Sequence, residues 1–199
     1  LKLMVGAFER EGQHAESLET LQTMVEIAPS HEANRIRLAE AYARQGDNAE
    51  SVVEFRVVLD SIRGDGRIED FTKVAERLLY LYPDELDIAR QLAEAYLRRQ
   101  DPTKALGWLQ KLFRHDPVNP ETLELLGRAL AEINKAAKAA AVYRELARIY
   151  GEQNKDSRRL KAYERLLQLA PGDEEALKAL DSSDDDVDIT ASTVNWTVA

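Results

Sequence analysis

Chemistry in a chain starts from its histidines, cysteines and clustered carboxylates, and here the supply is thin. There are three histidines, His14, His31 and His115, all near expected helix ends and far apart in sequence. No HExxH, GxSxG, P-loop or GxGxxG pattern occurs, so neither a metallohydrolase, a serine nucleophile nor a nucleotide cradle is written in the sequence. Asp184-Asp185-Asp186 is the densest carboxylate run, but it lacks the glycine and closing glutamate of a calcium loop. Arg63-Gly64-Asp65 and the sequon Asn195-Trp196-Thr197 read as turn chemistry and as an acceptor that matters only on a eukaryotic secretory route. No catalytic residue, metal ligand or cofactor is expected, and the chain reads as a non-enzyme.

What remains is chemistry of recognition. Residues 120–171 carry ten Lys+Arg against seven Asp+Glu, concentrated in Arg144, Arg148, Lys155, Arg158, Arg159, Lys161 and Arg165. Such a cluster is either a solvated helix face or a dock for an acidic segment. Trp108, Tyr80 and Tyr82 each adjoin an expected packing leucine, so each is core or an interface anchor. Trp196 closes the chain's last apolar alternation and is a further candidate anchor.

These side chains must be held by helices. Apolar residues recur at helical spacing, with breaks at Gly12, Pro29, Gly46, Gly64–Gly66, Pro83, Asp101-Pro102, Pro117–Pro120, Asn134, Gly151–Asn154 and Pro171-Gly172. The pattern predicts helices over 1–11, 15–28, 32–45, 47–63, 67–81, 86–99, 102–115, 120–133, 136–150 and 156–169, and a short last one over 173–180. Shifted by 88 residues the chain lies over itself without a gap from residue 1 to about 173. Pro29 falls on Pro117, Pro83 on Pro171, Phe8 on Tyr96, Leu38 on Leu126 and Phe55 on Tyr143.

Composition agrees. Hydrophobic content is 44% and charged content 32%, as amphipathic helices with one wet face require. The net charge of −9 is uneven: residues 181–199 hold five Asp and no Lys or Arg, leaving the rest only weakly acidic. That is a poor footprint for nucleic acid. No stretch approaches about 18 apolar residues, so no membrane insertion is expected. The chain has no cysteine, which excludes disulfides and thiol catalysis and fits a reducing, cytoplasmic setting. Residue 1 is a leucine inside an expected helix, so the N-terminus reads as a domain boundary.

Leu92-Ala93, Tyr96, Ala105, Leu109, Leu112 and Pro117 resemble one tetratricopeptide (TPR) unit, a helical hairpin of about 34 residues. Leu38-Ala39, Tyr42, Gly46, Ser51 and Phe55, and again Leu126-Gly127, Leu130, Ala139 and Tyr143, repeat the pattern. After Phe55 and Tyr143 the closing proline is missing. The frame restarts, so the helices at 47–63 and 136–150 each serve two frames. The resemblance implies an all-α, right-handed α-solenoid over residues 1–180, with two three-helix insertions, built as two 88-residue super-units. Leu38, Tyr42, Phe55, Leu92, Tyr96, Leu109, Leu126, Tyr143, Tyr163 and Leu166 are expected inside.

In TPR proteins the first helix of each hairpin lines a concave groove. The resemblance therefore implies partner contacts at Ile36, Glu40 and Ala43, at Arg90, Glu94, Leu97 and Arg98, and at Glu124, Arg128 and Ala131. Glu40 and Glu94 stand where a carboxylate-gripping clamp would need asparagine, so that mode is rejected. The expected function is a scaffold or adaptor that binds another protein or peptide. The alternatives are a targeting arm of a larger enzyme and a sensor of a short regulatory peptide. TPR repeats followed by the Asp/Ser stretch with Asp184–Ile189 also resemble large TPR scaffolds of gliding bacteria. Residues 181–199 read either as an acidic linker or as a segment that docks on a TPR surface, in cis or by self-association.

Overall fold

The computed structural model describes the backbone of residues 1–191 and the side chains of residues 1–182. Every regular element among them is a helix: α1 Lys2–Glu11, α2 His14–Ile27, α3 Glu32–Gln45, α4 Asn48–Gly64, α5 Ile68–Leu81, α6 Leu86–Arg98, α7 Pro102–His115, α8 Pro120–Glu132, α9 Ala136–Glu152, α10 Asp156–Leu169 and α11 Glu174–Ala191. The first ten agree with the sequence expectation to within two residues.

Local chemistry explains the starts. Asp101 and Asn119 accept backbone N–H groups of Lys104 and Thr122 at 3.2 and 3.0 Å, and Pro102 and Pro120 occupy the first turn, where a missing donor costs nothing. Asp173 caps α11 through the N–H of Ala176 at 3.0 Å. His31 has a structural use of the same kind, its Nδ1 accepting from the N–H of Asn34 at 3.4 Å.

The stops fall into two kinds. Six helices end at a residue with φ between 54° and 88°: Gly12, Gly46, Gly66, Gln100, Asn134 and Asn154. At each, the following N–H returns to the carbonyl five residues back, from Gln13 to Phe8 at 2.9 Å through Lys155 to Tyr150 at 2.9 Å, which satisfies an orphan carbonyl. The other four stops are extended residues before proline, at Ala28, Tyr82, Asp116 and Ala170. Both kinds recur 88 residues on: Gly12 as Gln100, Gly46 as Asn134, Gly66 as Asn154, Ala28 as Asp116, and Tyr82 as Ala170. Two left-handed turns in succession flank α4, and two flank α9. These are the helices where the sequence frame restarts.

The chain divides into two compact units, Leu1–Ala95 and Tyr96–Ala199. In the first, α1 to α5 each pack on the next. Val5, Leu21, Met24, Val25, Leu38 and Ala41 form one core cluster there. In the second, α7 to α11 pack in the same sequential way. Its core joins Leu123 of α8, Tyr143, Leu146, Ala147 and Tyr150 of α9, Ala162, Tyr163 and Leu166 of α10, and Ala176 of α11. Burying a leucine or tyrosine at such a seam stabilises it by about 1.5–3 kcal/mol per side chain, and the seam takes the place of a central core.

Two expectations need correction. Tyr42 is only half-buried, because its hydroxyl sits at the rim of the seam, accepting from Gln22 Nε2 at 3.0 Å. The last helix does not stop near 180 but runs to Ala191. Once the turns at Glu174–Leu180 exist, each further residue adds a backbone hydrogen bond. Asp and Ser are only mildly unfavourable in a helix.

Candidate functional site

A cleft of about 720 Å³ opens on the second unit, across α8, α9 and α10. Its floor comes from α9, where Tyr143, Leu146 and Tyr150 follow one another at spacings of three and four and so share a face. Ala162 of α10 completes the floor. One wall is acidic, with Glu121 and Glu124 from α8. The other is mainly basic, with Arg158, Lys161 and Arg165 from α10, which the spacing of three and four again places along one stripe. Glu164 and Gln168 stand beside them.

The floor is anchored from beneath. Gly127 of α8 gives the Tyr143 ring its place, for a Cβ there would lie 2.8 Å from Cζ. Arg158 lies over the Tyr150 ring, 5.9 Å from its centroid, and Arg165 donates to Gln168 Oε1 at 3.1 Å. Burial pushes the Tyr143 phenol above its ordinary range, against an opposing pull from Arg165. Burial raises the Tyr150 phenol too, helped by Glu124. Both rings are therefore protonated near neutral pH, where they act as hydrogen-bond donors rather than bases.

The equivalent face of the first unit is laced shut. Across α3 and α5, Arg77 Nε donates to Glu40 Oε1 at 2.8 Å, and Arg67 donates to Glu32. Along α5, Asp70 meets Lys73 at 3.6 Å and Arg67 at 3.4 Å. Eighty-eight residues on, Glu40 becomes Arg128, Arg77 becomes Arg165, Glu32 becomes Pro120, and Asp70 becomes Arg158.

The sequence candidates are thus only partly gathered. Glu124, Arg158 and Arg165 share the cleft. Arg144 is instead held by Asp173 at 2.7 Å, Arg148 by Glu145 at 2.6 Å and by Glu152, and Arg159 by the Tyr163 hydroxyl at 3.3 Å. The basic dock is therefore not one patch, because these arginines come from two helices and the adjacent Arg158 and Arg159 point about 100° apart around α10. Among the expected groove residues, Ile36 and Ala43 are half-buried on α3, and Glu40 is taken by Arg77. Arg128 donates to Glu132 at 2.9 Å and to the Leu97 carbonyl at 3.4 Å. Arg90, Glu94 and Arg98 of α6 all have interactions within the chain. Leu97 is a correction. It is 1% exposed, because α6 buries Ile88, Ala89, Leu92, Ala93, Ala95, Tyr96 and Leu97 and so has more than one covered face.

Of the candidate anchors, Trp108 is half-buried, and Tyr82 is half-buried with its hydroxyl donating to Asn48 Oδ1 at 3.4 Å. Tyr80 is 78% exposed, with the Arg77 guanidinium 5.7 Å from its ring centroid. Trp196 lies outside the described residues. Tyr143 is interior as expected, yet its ring also lines the cleft, and the sequence reading does not single out Tyr150 or Glu121 as site residues. The signal was a pair of tyrosines seven residues apart on one helix, facing carboxylates on the preceding one.

With that geometry in hand, residues 90–154 match the family model described as Tetratricopeptide repeat. That segment carries tetratricopeptide repeats, and the all-helical fold around it is of the same type. The chain's fold is shared by solved structures of MamA. One titled a crystal structure of MamA has a TM-score of 0.54 at 14% identity, covering 94% of this chain and 96% of that one. Another gives 0.53 at 13%, covering 98% and 94%. MamA from Desulfovibrio magneticus RS-1, residue 41 to its end, gives 0.51 at 14%, covering 98% and 95%. At such identities the likeness is one of fold. No curated protein matches the chain. Among the described residues no helix is long and apolar enough to cross a membrane.

Proposed function

We propose that this chain is a non-enzymatic, cytoplasmic scaffold that seats a segment of a partner protein in the cleft of α8, α9 and α10. The observation that carries this reading is a floor of two phenol donors between an acidic and a basic wall, on a face whose counterpart in the first unit is tied shut by ion pairs. TPR repeats are an interaction fold, and a cleft with donors, carboxylates and cations in separate places can read both the backbone and the side chains of a peptide. The same chemistry argues against catalysis. The phenols are pushed away from neutral pH, and His31 is used as a helix cap.

The test is a random-peptide library selected on the array, with a benzophenone side chain placed at Glu164 on the cleft rim or at Lys73 on α5. Retained peptides should cross-link at Glu164 and not at Lys73. Equal cross-linking at both, or no retained peptide, would sink the reading.

A further inference from the structure

We infer that the occupant of the cleft is an acidic segment, with carboxylates along the edge that faces α10 and a cationic or amide edge toward α8. This rests on the reading just given and names the chemistry of its ligand.

The argument comes from comparing the two copies of one face. In the first unit Asp70 neutralises Lys73 and Arg67, and Glu40 neutralises Arg77. At the positions 88 residues on, each of these pairs has become a pair of cations: Arg158 beside Lys161 and Lys155, and Arg128 opposite Arg165. Opposite charges three residues apart on a helix have been replaced by like charges, which oppose folding slightly instead of supporting it. Arg128 is taken up by Glu132 at 2.9 Å, but the three cations that line the cleft from α10 make no ion pair among the described residues. Lys161 makes no ion pair there, Arg158 meets Tyr150 through its ring and its hydroxyl, and Arg165 hydrogen-bonds a neutral amide. Elsewhere in the chain arginines are routinely matched, as Arg35 is by Glu54, Arg56 by Glu85 and Asp87, and Arg144 by Asp173.

So the chain, acidic as a whole, concentrates unmatched positive charge along one wall of its own cleft. An anionic ligand relieves that repulsion, and only while it is bound. Arg158 to Arg165 spans seven residues, about 10 Å at 1.5 Å per residue. Carboxylates at i, i+3 or i+4, and i+7 of a helix match that span and share one face. The Tyr143 and Tyr150 hydroxyls can donate to the same carboxylates or to backbone carbonyls. Glu124, which makes no ion pair among the described residues, sets the other edge. It repels a ligand that is anionic all round, which disfavours a nucleic acid and fixes which way a mixed-charge segment lies.

The molecule supplies its own test variant. Arg128→Glu and Arg158→Asp together restore the charges of the first unit, offering Glu to Arg165 and Asp to Lys161. The probes are a fluorescein-labelled alanine-based helical peptide with Glu along one edge and Lys along the other, its counterpart with Glu and Lys replaced by Gln, and a single-stranded oligonucleotide of equal length. The wild-type chain should bind the acidic peptide on the order of tenfold or more tighter than the Gln peptide, with the oligonucleotide weaker than either. In the double variant the acidic peptide should lose that advantage, while the thermal midpoint holds or rises. A midpoint that falls sharply would be met by Lys161→Gln, which removes one cation without adding a charge and should cut acidic-peptide binding alone. An acidic peptide bound no better than the Gln peptide, binding unchanged in both variants, or an oligonucleotide bound tightest would overturn the inference. Should library peptides of other chemistry still cross-link at Glu164, the acidic class would fall and the scaffold reading would stand. Should no peptide cross-link there, the scaffold reading itself would fall.

Discussion

The ring of Tyr143 occupies the space that a side chain at Gly127 would need, with three ring carbons 2.8, 2.9 and 3.2 Å from where a Cβ would stand. One residue thus sets the height of the cleft floor. Gly127→Ala should gain about 1 kcal/mol of helix propensity and lose about 1–3 kcal/mol to overpacking, a net loss on the order of 1 kcal/mol. Thermal melts in a double-mutant cycle check this: in a Tyr143→Leu background the alanine should be neutral or stabilising. A loss of the same size in both backgrounds would show that the contact is not the cause.

Leu166 is 0% exposed, within the seam of α9, α10 and α11. Leu166→Ala should cost about 2–5 kcal/mol. Repeat architectures couple mainly nearest neighbours, so the loss should be local. Hydrogen exchange should quicken over α9 and α10 well before it quickens over α1 and α2. Uniform acceleration along the chain would contradict a seam of independent contacts.

Asp173 joins α9 to α11, bonded to Arg144 of α9 at 2.7 Å while capping α11. The Arg144 hydrogen bond, and next the Ala176 N–H, hold its carboxyl below the usual range. Because the folded pKa is the lower one, the stabilisation is fully present above the unfolded value of about 3.9. It fades as pH falls through the folded value. Asp173→Asn keeps the cap and discards the charge. The variant should open faster than wild type over Glu174–Leu180 at pH 7, and the difference should vanish in acid. A difference that persists in acid would assign the effect to geometry and not to charge.

Much of this architecture can be read directly in the residues. Pro29, Pro83, Pro117 and Pro171, with glycine and asparagine at the left-handed turns, mark the helix ends by backbone chemistry that needs no tertiary partner. The double use of α4 and α9 is visible because one apolar pattern fits two frames. The site was harder to see. Periodicity tells which face of a helix is apolar, not which charge meets which. Glu40 reads as an open groove position, but in the fold Arg77, 37 residues away in sequence, is bonded to it. Leu97 sits at a groove-lining step of the repeat, and only three-dimensional packing shows it inside. Arg144 and Arg148 sit in the same basic cluster as Arg158 and Arg165, yet only the latter two face the cleft.

The left-handed turns give a further prediction. Where the first copy has Gly12, Gly46 and Gly66, the second has Gln100, Asn134 and Asn154 at φ of 59°, 59° and 54°. A non-glycine residue there costs up to about 1–2 kcal/mol, least for Asn. Gln100→Gly should therefore raise the thermal midpoint, with a net gain of about 0.5–1 kcal/mol after the added flexibility of the unfolded chain, and Asn134→Gly should gain less. A lowered midpoint for Gln100→Gly would mean that its side chain holds the turn by contacts of its own.

The lacing of α3 to α5 turns the first unit into a locked edition of the cleft. Phe55 and Ile62 are buried at the positions where the other copy has Tyr143 and Tyr150. Five substitutions drawn from the protein's own second half, Glu32→Pro, Glu40→Arg, Asp70→Arg, Phe55→Tyr and Ile62→Tyr, would remove those ion pairs and put the cleft's residues in their place. Because the residues that close one face have known counterparts 88 residues on, a two-site version of this protein is only a handful of substitutions from the chain as it stands.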